Sequence, residues 1–378
     1  MALNWGVVGN IFYTNYRKEK KIKMDSEQYR YIIGILEEIQ CKTNTQNEAP
    51  LFYEHFKEQF IGLKGEYEMG NMYLNFLAHL QKIDLPTKYE SAYYYDYLKK
   101  SLDLLCNESN SIYINGKTLN YDKPVIGSVN FHHFDARALN ENGVKLILIS
   151  RSIIHFMCTL SSLVAQFYLN LKTNKSNREL DRYFVDLACS YYLFREGTKD
   201  TKYWRINTIE GINIASSLVI TSYLFIVAHE YAHLLLEHNK SSVQDVPFQK
   251  EMEADFLGGM LSMRVIYGQY NHTYSVAGLT YILGVLDLLY DIDNIIKEEI
   301  WNPKKALYPK PRIKIFPEVI KYFNISKNND ILSTNMWICL HNLWARNKDK
   351  IKEYLTLYES FPQDRDAYKK LQDKIYSI

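Results

Sequence analysis

The sequence predicts an α+β protein that is mostly helical, with one small sheet near residues 110–150. Apolar residues recur at helical spacing through most of the chain. Only the segment 110–150 changes to short runs rich in Val and Ile that are bounded by turn residues. The chain has 378 residues, of which 47 % are apolar, so it can build a sizeable core.

Three regions are expected along the chain. Residues 1–108 form a helical N-terminal region, in which segments such as SEQYRYIIGILEEIQ keep apolar residues on one face. Residues 109–300 form the core that contains the sheet. Residues 301–378 form a helical C-terminal extension, which opens on a proline-broken loop at 302–312.

The sheet is predicted from three runs of sequence. Asn115-Gly116 within SIYINGKTLNY is a strong hairpin signal. KPVIGSVNF and GVKLILIS are β-like runs that end at turn residues. Together they predict a sheet of about three strands.

From residue 151 onward the pattern is helical again. Helices are predicted near 152–172, 177–195, 210–239, 249–267, 273–299, 331–346 and 350–376. Two apolar stretches approach membrane length, but 152–171 contains His155, Gln166 and Asn170, and 213–228 is short of the about 20 apolar residues that a spanning helix needs. We therefore expect buried helices and no transmembrane segment.

Charge and cysteine content argue against several classes of protein. The chain has 45 Lys and Arg residues and 43 Asp and Glu residues, so its formal net charge is +2. This charge gives no reason to expect a nucleic-acid partner. Five cysteines without a CxxC pair argue against a disulfide framework or a thiolate zinc site. The N-terminal basic cluster follows its short apolar run, the reverse of a signal peptide. A cytoplasmic protein is expected.

The segment FIVAHEYAHLLLEH, residues 225–238, has ionisable side chains inside an apolar helix. His229 and His233 are four residues apart, so they share one helix face and can reach one zinc ion. Glu230 points about 100° away from His229 and can take a proton from a metal-bound water, whose pKa zinc lowers towards ~7. Burying these groups without partners is costly. The motif therefore predicts a catalytic zinc site with Glu230 as the general base.

A catalytic zinc ion generally has three protein ligands. A third histidine ligand at position 239 is missing, since Asn239 stands there. His238 projects away from the face that carries His233 on an ideal helix, so it is interpreted as a structural or surface residue.

The following segment, EMEAD at 251–255, provides a carboxylate ligand instead. Glu251 and Asp255 are four residues apart and share a helix face. Glu251 is the predicted third ligand, and Asp255 is predicted to accept a hydrogen bond from the outer nitrogen of a ligating histidine. Glu253, about 200° from Glu251, stays open as the alternative ligand.

The pattern HExxH followed by ExxxD resembles the gluzincin metallopeptidases, and its fuller strings AHEYAHLLLEH and EMEADFLGGML are similar to phage-exclusion peptidases of the Lit type. The resemblance covers roughly 140–270. It implies a zincin-like metallopeptidase core, in which the edge strand of a small sheet lies over the motif helix. It also implies a Zn²⁺ cofactor and a protein or peptide substrate that adds to that edge strand.

Together with this resemblance, the sequence predicts a zinc-dependent endopeptidase that cleaves a specific intracellular protein. The expected role in phage defence or a stress response is what the resemblance implies. Two alternatives stay open: a non-catalytic regulatory or interaction protein with a structural metal site, and a helical domain in which HExxH arises by chance. The residue that stabilises the developing oxyanion also stays open. The candidates are His132, His133, Tyr231, Arg312 and His341.

Overall fold

The computed structural model describes most of the chain from residue 26 onward. The described residues are 26–43, 45, 79–80, 82–109, 113–114, 117–118, 123–130, 135–141, 144–194, 206, 208–238, 247–269, 277–296, 319, 327–358 and 365–377. The first 25 residues, on which the signal-peptide argument depends, lie outside them.

The described residues form nine helices and five short strands. In chain order these are α1 (Ser26–Lys42), α2 (Ala92–Ser109), β1 (Tyr113–Ile114), β2 (Lys117–Thr118), β3 (Val125–Val129), β4 (Ala136–Glu141), β5 (Val144–Ser150), α3 (Arg151–Thr173), α4 (Arg178–Phe194), α5 (Ile209–Leu235), α6 (Pro247–Gln269), α7 (Ala277–Asp293), α8 (Lys327–Tyr358) and α9 (Arg365–Ser377). The protein is mostly helical with a small sheet, as predicted.

The main sheet has the strand order β3-β5-β4. The central strand β5 runs parallel to β3 and antiparallel to β4. β3 and β5 agree with two of the predicted runs, and β1 pairs with β2 around the predicted Asn115-Gly116 turn. β4 was not predicted as a strand, because ARALNE has few of the residues that favour strands. β4 lies at one edge of this sheet.

Helix α5 carries the HExxH motif and runs through the centre of the core. Thr208 caps its start, where the hydroxyl oxygen accepts a hydrogen bond from the Gly211 backbone N–H at 3.1 Å. Apolar residues surround the helix on all sides, as expected for a helix buried in a large core. α2, α3, α6, α7 and β4 all pack against it.

Two helices in the described part of the chain, α3 and α5, are long and apolar enough to cross a membrane. In each, most of the apolar window is covered by the rest of the protein, 88 % in α3 and 83 % in α5. Buried helices of a protein core have this same composition, so length and hydropathy are weak evidence for a membrane span.

The C-terminal helices differ from the prediction in where they break. α8 continues through residues 347–349, where the polar NKDK segment had suggested a boundary. Asn347 is buried in this helix, and its side-chain amide donates to Asp181 Oδ1 at 3.0 Å and to the Leu343 carbonyl at 2.8 Å. The polar residue therefore docks α8 onto α4 and does not end the helix.

Candidate metal site

The two histidines of the motif lie side by side on the last turns of α5. His229 Nε2 and His233 Nε2 are 3.0 Å apart, and the two rings are nearly perpendicular. His229 is 8 % exposed and the neighbouring Glu230 is 7 % exposed. The side chains of His229, Glu230 and His233 therefore lie in a largely buried position near the C-terminal end of an apolar helix.

Glu251 joins this pair from the adjacent helix α6. Its Oε2 lies 3.3 Å from His229 Nε2, and its Oε1 lies 3.5 Å from His233 Nε2. A tetrahedral zinc site with bonds of about 2.0–2.2 Å has donor atoms about 3.3–3.6 Å apart. The two imidazole nitrogens and the two oxygens of the Glu251 carboxylate, one facing each nitrogen, are close to this spacing, and their chemistry suits a zinc ion.

Asp255 lies behind this cluster, one turn after Glu251 on α6. Its Oδ1 is 2.9 Å from His229 Nδ1, and the residue is fully buried. Burial disfavours the charged form of His229, but the carboxylates of Asp255 and Glu251 outweigh it and raise the pKa of His229 to about 10. The surroundings of this imidazole therefore favour a positive charge on the ring.

A glycine allows α5 and α6 to approach closely at the cluster. A Cβ atom at Gly258 would lie 2.9 Å from the backbone nitrogen of His229 and 3.0 Å from its Cα. Such contacts are with backbone atoms, which cannot move away as a flexible side chain can. The distance between the helix that carries the histidines and the helix that carries Glu251 thus depends on Gly258.

We expect Gly258→Ala to weaken metal binding and to lower the midpoint of thermal unfolding. The added methyl group pushes α6 away from His229, and such overpacking typically costs about 1–3 kcal/mol. Zinc affinity and the unfolding midpoint, measured on the same preparation, check this. Gly34→Ala on α1 is the matched control, since no atom of a neighbouring element in the described part of the chain would lie within 4 Å of the added methyl group. Equal effects at the two glycines would contradict the close-approach role.

Glu253 and His238 lie outside the three-residue cluster, next to His233. Glu253 is 47 % exposed at its side chain and pairs with His238, whereas Glu251 is the carboxylate that lies beside both histidines. His238 was expected on the opposite side of the helix from His233, yet its Nδ1 lies 2.9 Å from His233 Nδ1; it contacts the outer nitrogen of that ring and is not among the three possible donors. The helix ends at Leu235, and Glu237 adopts a left-handed backbone with φ of 54°, so helical angles do not apply to His238.

A cavity of about 560 Å³ opens beside the cluster. His229, Glu230, His233 and Glu251 all line it. One wall consists of β4 and the preceding Asp135, and apolar side chains from four helices form another. The apolar lining residues are Ile153, Tyr191, Phe225, Ile226, Ile282, Leu286, Leu289 and Tyr290.

Several cavity residues had not been identified from the sequence. Arg137 on β4 lines the cavity, and its guanidinium pairs with Asp135 at 2.6 Å. Tyr290 and Asp293 line it from the end of α7. No motif marks these three positions, and the strand that carries Arg137 has a composition atypical of strands.

Two of the five candidates for oxyanion stabilisation lie away from this cavity. Tyr231 is buried with its hydroxyl 3.1 Å from Ser109 Oγ on α2, and His341 lies against the Trp337 ring at 3.9 Å between centroids. Neither residue lines the cavity. The other three candidates, His132, His133 and Arg312, lie outside the described residues.

Comparison with protein-family models, with curated proteins and with solved structures found no match to this chain. Inference about its function therefore depends on the chemistry and geometry of the site itself.

Proposed function

We propose that the protein is a zinc-dependent endopeptidase with a zincin-like core, acting in the cavity beside His229 and Glu230. The observation that carries this proposal is the convergence of two imidazole nitrogens, 3.0 Å apart, and a carboxylate group, whose two oxygens lie 3.3 and 3.5 Å from them, on a cavity that Glu230 also lines. A metal ion held there would be next to both a carboxylate base and a space for substrate.

His229, His233 and Glu251 would hold the ion. Zinc supplies Lewis acidity, which lowers the pKa of a water molecule and polarises a carbonyl group. Asp255 fixes the His229 ring from behind, and its negative charge strengthens that imidazole as a donor. These four side chains belong to two adjacent helices, whose rigid packing keeps the donor atoms together.

Glu230 would act as the general base and then as the general acid. It accepts a proton from the attacking water and later delivers that proton to the nitrogen of the leaving amine. Its low exposure and its place in the cavity wall support this role. The overall reaction adds one water across a peptide bond and releases a carboxylate and an amine.

The edge strand β4 would position the substrate chain. β4 pairs with β5 along one side, lines the cavity and packs against α5. An extended peptide can add to such an edge through backbone hydrogen bonds, which are largely independent of sequence. The apolar wall beside it favours a substrate with an apolar side chain next to the scissile bond.

A structural metal site is the competing interpretation, in which the chain regulates or binds a partner without hydrolysis. Structural zinc sites are usually closed by four protein ligands, whereas catalytic sites keep a position open. Among the described residues the cluster has three donors and borders a cavity of about 560 Å³. This arrangement favours the catalytic interpretation.

We expect the purified protein to contain about one zinc ion per chain, because three donors at zinc spacing form one site. Elemental analysis measures the content, and chelation followed by zinc addition should abolish and then restore peptidase activity. His229→Ala with His233→Ala removes both imidazoles and should abolish binding. A protein that takes up no stoichiometric metal at neutral pH would refute the proposal.

The substrate can be found by labelling new protein termini in cells that express the protein. New termini should appear with the natural chain and be missing with Glu230→Gln, which retains the metal ligands. A role in phage defence or a stress response, and a cytoplasmic location, remain part of the proposal. Identification of an intracellular substrate would support them. Identical terminus profiles with both chains would favour the regulatory alternative.

A further inference from the structure

We propose that His238 and Glu253 form a relay that positions His233, so that each histidine of the site is oriented from behind by a carboxylate. This inference rests on the proposed zinc site. His238 Nδ1 lies 2.9 Å from His233 Nδ1, and His238 Nε2 lies 3.1 Å from Glu253 Oε2. The chain of contacts thus runs from the outer nitrogen of His233, through one imidazole, to a carboxylate.

The backbone after α5 places His238 at this position. Leu236 is the last residue with helical angles, and Glu237 has a left-handed φ of 54° that turns the chain back towards α5. A non-glycine residue pays a small conformational cost there, which the surrounding contacts must offset. The His238 carbonyl accepts a hydrogen bond from Lys250 Nζ at 2.8 Å, so α6 holds the turn in place.

Glu253 is likewise held on α6. Its Oε1 accepts a hydrogen bond from Gln249 Nε2 at 2.9 Å, one helical turn earlier. This leaves Oε2 directed at His238. Although the Glu253 side chain is 47 % exposed, that of His238 is only 7 % exposed, so the middle of the relay is shielded from water.

The proton positions along the relay follow from hydrogen-bond directionality. When His233 binds a metal through Nε2, its Nδ1 carries the ring proton and must donate it. His238 Nδ1 must then accept, which puts the His238 proton on Nε2, where Glu253 accepts it. Every contact then has one donor and one acceptor, and the negative charge of Glu253 stabilises the whole chain.

The two ligating histidines are therefore supported differently. Asp255 contacts His229 directly and is fully buried, whereas Glu253 reaches His233 through His238 from a half-exposed position. Both arrangements fix ring orientation and tautomer, which is what outer partners of metal-binding histidines do. His238 is accordingly a positioning residue, since it acts through His233 and does not line the cavity.

The test compares two substitutions of His238 by their cobalt and zinc affinity. His238→Phe keeps the ring volume but can neither accept from His233 nor donate to Glu253. We expect it to weaken metal binding by roughly 10–100-fold and to change the visible spectrum of the cobalt-substituted protein. His238→Gln offers an amide oxygen to His233 and an amide N–H to Glu253, so it should restore most of the affinity.

Glu253→Ala is a second variant, to be used if His238→Phe does not fold. It should weaken metal binding by a smaller factor than His238→Phe. These affinities are measured without any substrate, so they are independent of peptidase activity. Wild-type affinity and an unchanged cobalt spectrum in His238→Phe would overturn the relay and leave the proposed function intact. Failure of the natural chain to bind either metal would overturn both.

Discussion

Replacing Glu230 with glutamine is expected to lower kcat by roughly 10²–10⁴-fold, the usual contribution of a general acid–base group. Glutamine keeps the size of the side chain and its ability to form hydrogen bonds, but it cannot accept a proton at neutral pH. The bound metal should remain, since Glu230 is adjacent to the three-donor cluster and is not part of it. KM should change little, because the lost interaction acts in the transition state.

The measurement combines steady-state kinetics on the identified substrate with the zinc content of the same sample. Glu210→Gln is the matched control, as it makes the same chemical change at the other end of α5. Glu210 is exposed and pairs with Lys172 at 3.2 Å, so its substitution should leave both kcat and zinc content unchanged. Full activity in Glu230→Gln would exclude it as the base. Loss of zinc would reveal a role in binding the metal.

Much of the candidate site could be predicted because its members lie on regular helices. His229 and His233 on α5, and Glu251 and Asp255 on α6, are each four residues apart, and an α-helix converts that spacing into a shared face. The structure brings all four together within hydrogen-bond or ion-pair distance of a neighbour. Spacing alone could not show that the two faces meet, which depends on the close approach at Gly258.

The remaining parts depend on irregular backbone and on long-range pairing, which sequence spacing does not encode. His238 follows a left-handed residue, so its position could not be read from helix geometry. β4 is a strand because it pairs with β5, although its own residues have weak strand preference. Tyr231 is next to Glu230 in sequence, yet its hydroxyl contacts Ser109 on another helix. The direction of such a side chain depends on how elements distant in sequence pack together.

Glu90→Ala is expected to cause the largest loss of stability, about 3–5 kcal/mol, the usual cost of breaking a buried ion pair from one side. Glu90 is fully buried where the sheet meets α1 and α3. It accepts hydrogen bonds from the Ser128 backbone N–H at 2.9 Å and from Gln40 Nε2 at 2.9 Å, and Arg151 Nη2 lies 3.6 Å away. Its loss therefore removes partners from three elements at once.

The electrostatics of this cluster explain why truncation should be costly. Burial raises the pKa of Glu90, while the positive charge of Arg151 and the hydrogen bonds from Ser128 oppose that rise. Arg151 also donates to Ser128 Oγ and to the Tyr89 carbonyl, each at 2.8 Å, so it cannot leave its buried position without breaking those bonds. Without Glu90 its charge stays buried with no carboxylate opposite it at this contact.

Urea unfolding of Glu90→Ala, Arg151→Ala and the double variant measures this effect. The double variant should lose less stability than the sum of the single variants, because removing both groups leaves no buried charge uncompensated. Glu353→Ala on the exposed face of α8 is the control and should shift the urea midpoint little. Domains have total stabilities of about 5–15 kcal/mol, so the expected loss should shift the urea midpoint clearly. A Glu90→Ala midpoint equal to that of the control would contradict the role of this cluster. A loss as large as expected would instead mean that the sheet carrying β4 depends on an ion pair far from the proposed metal ligands in sequence.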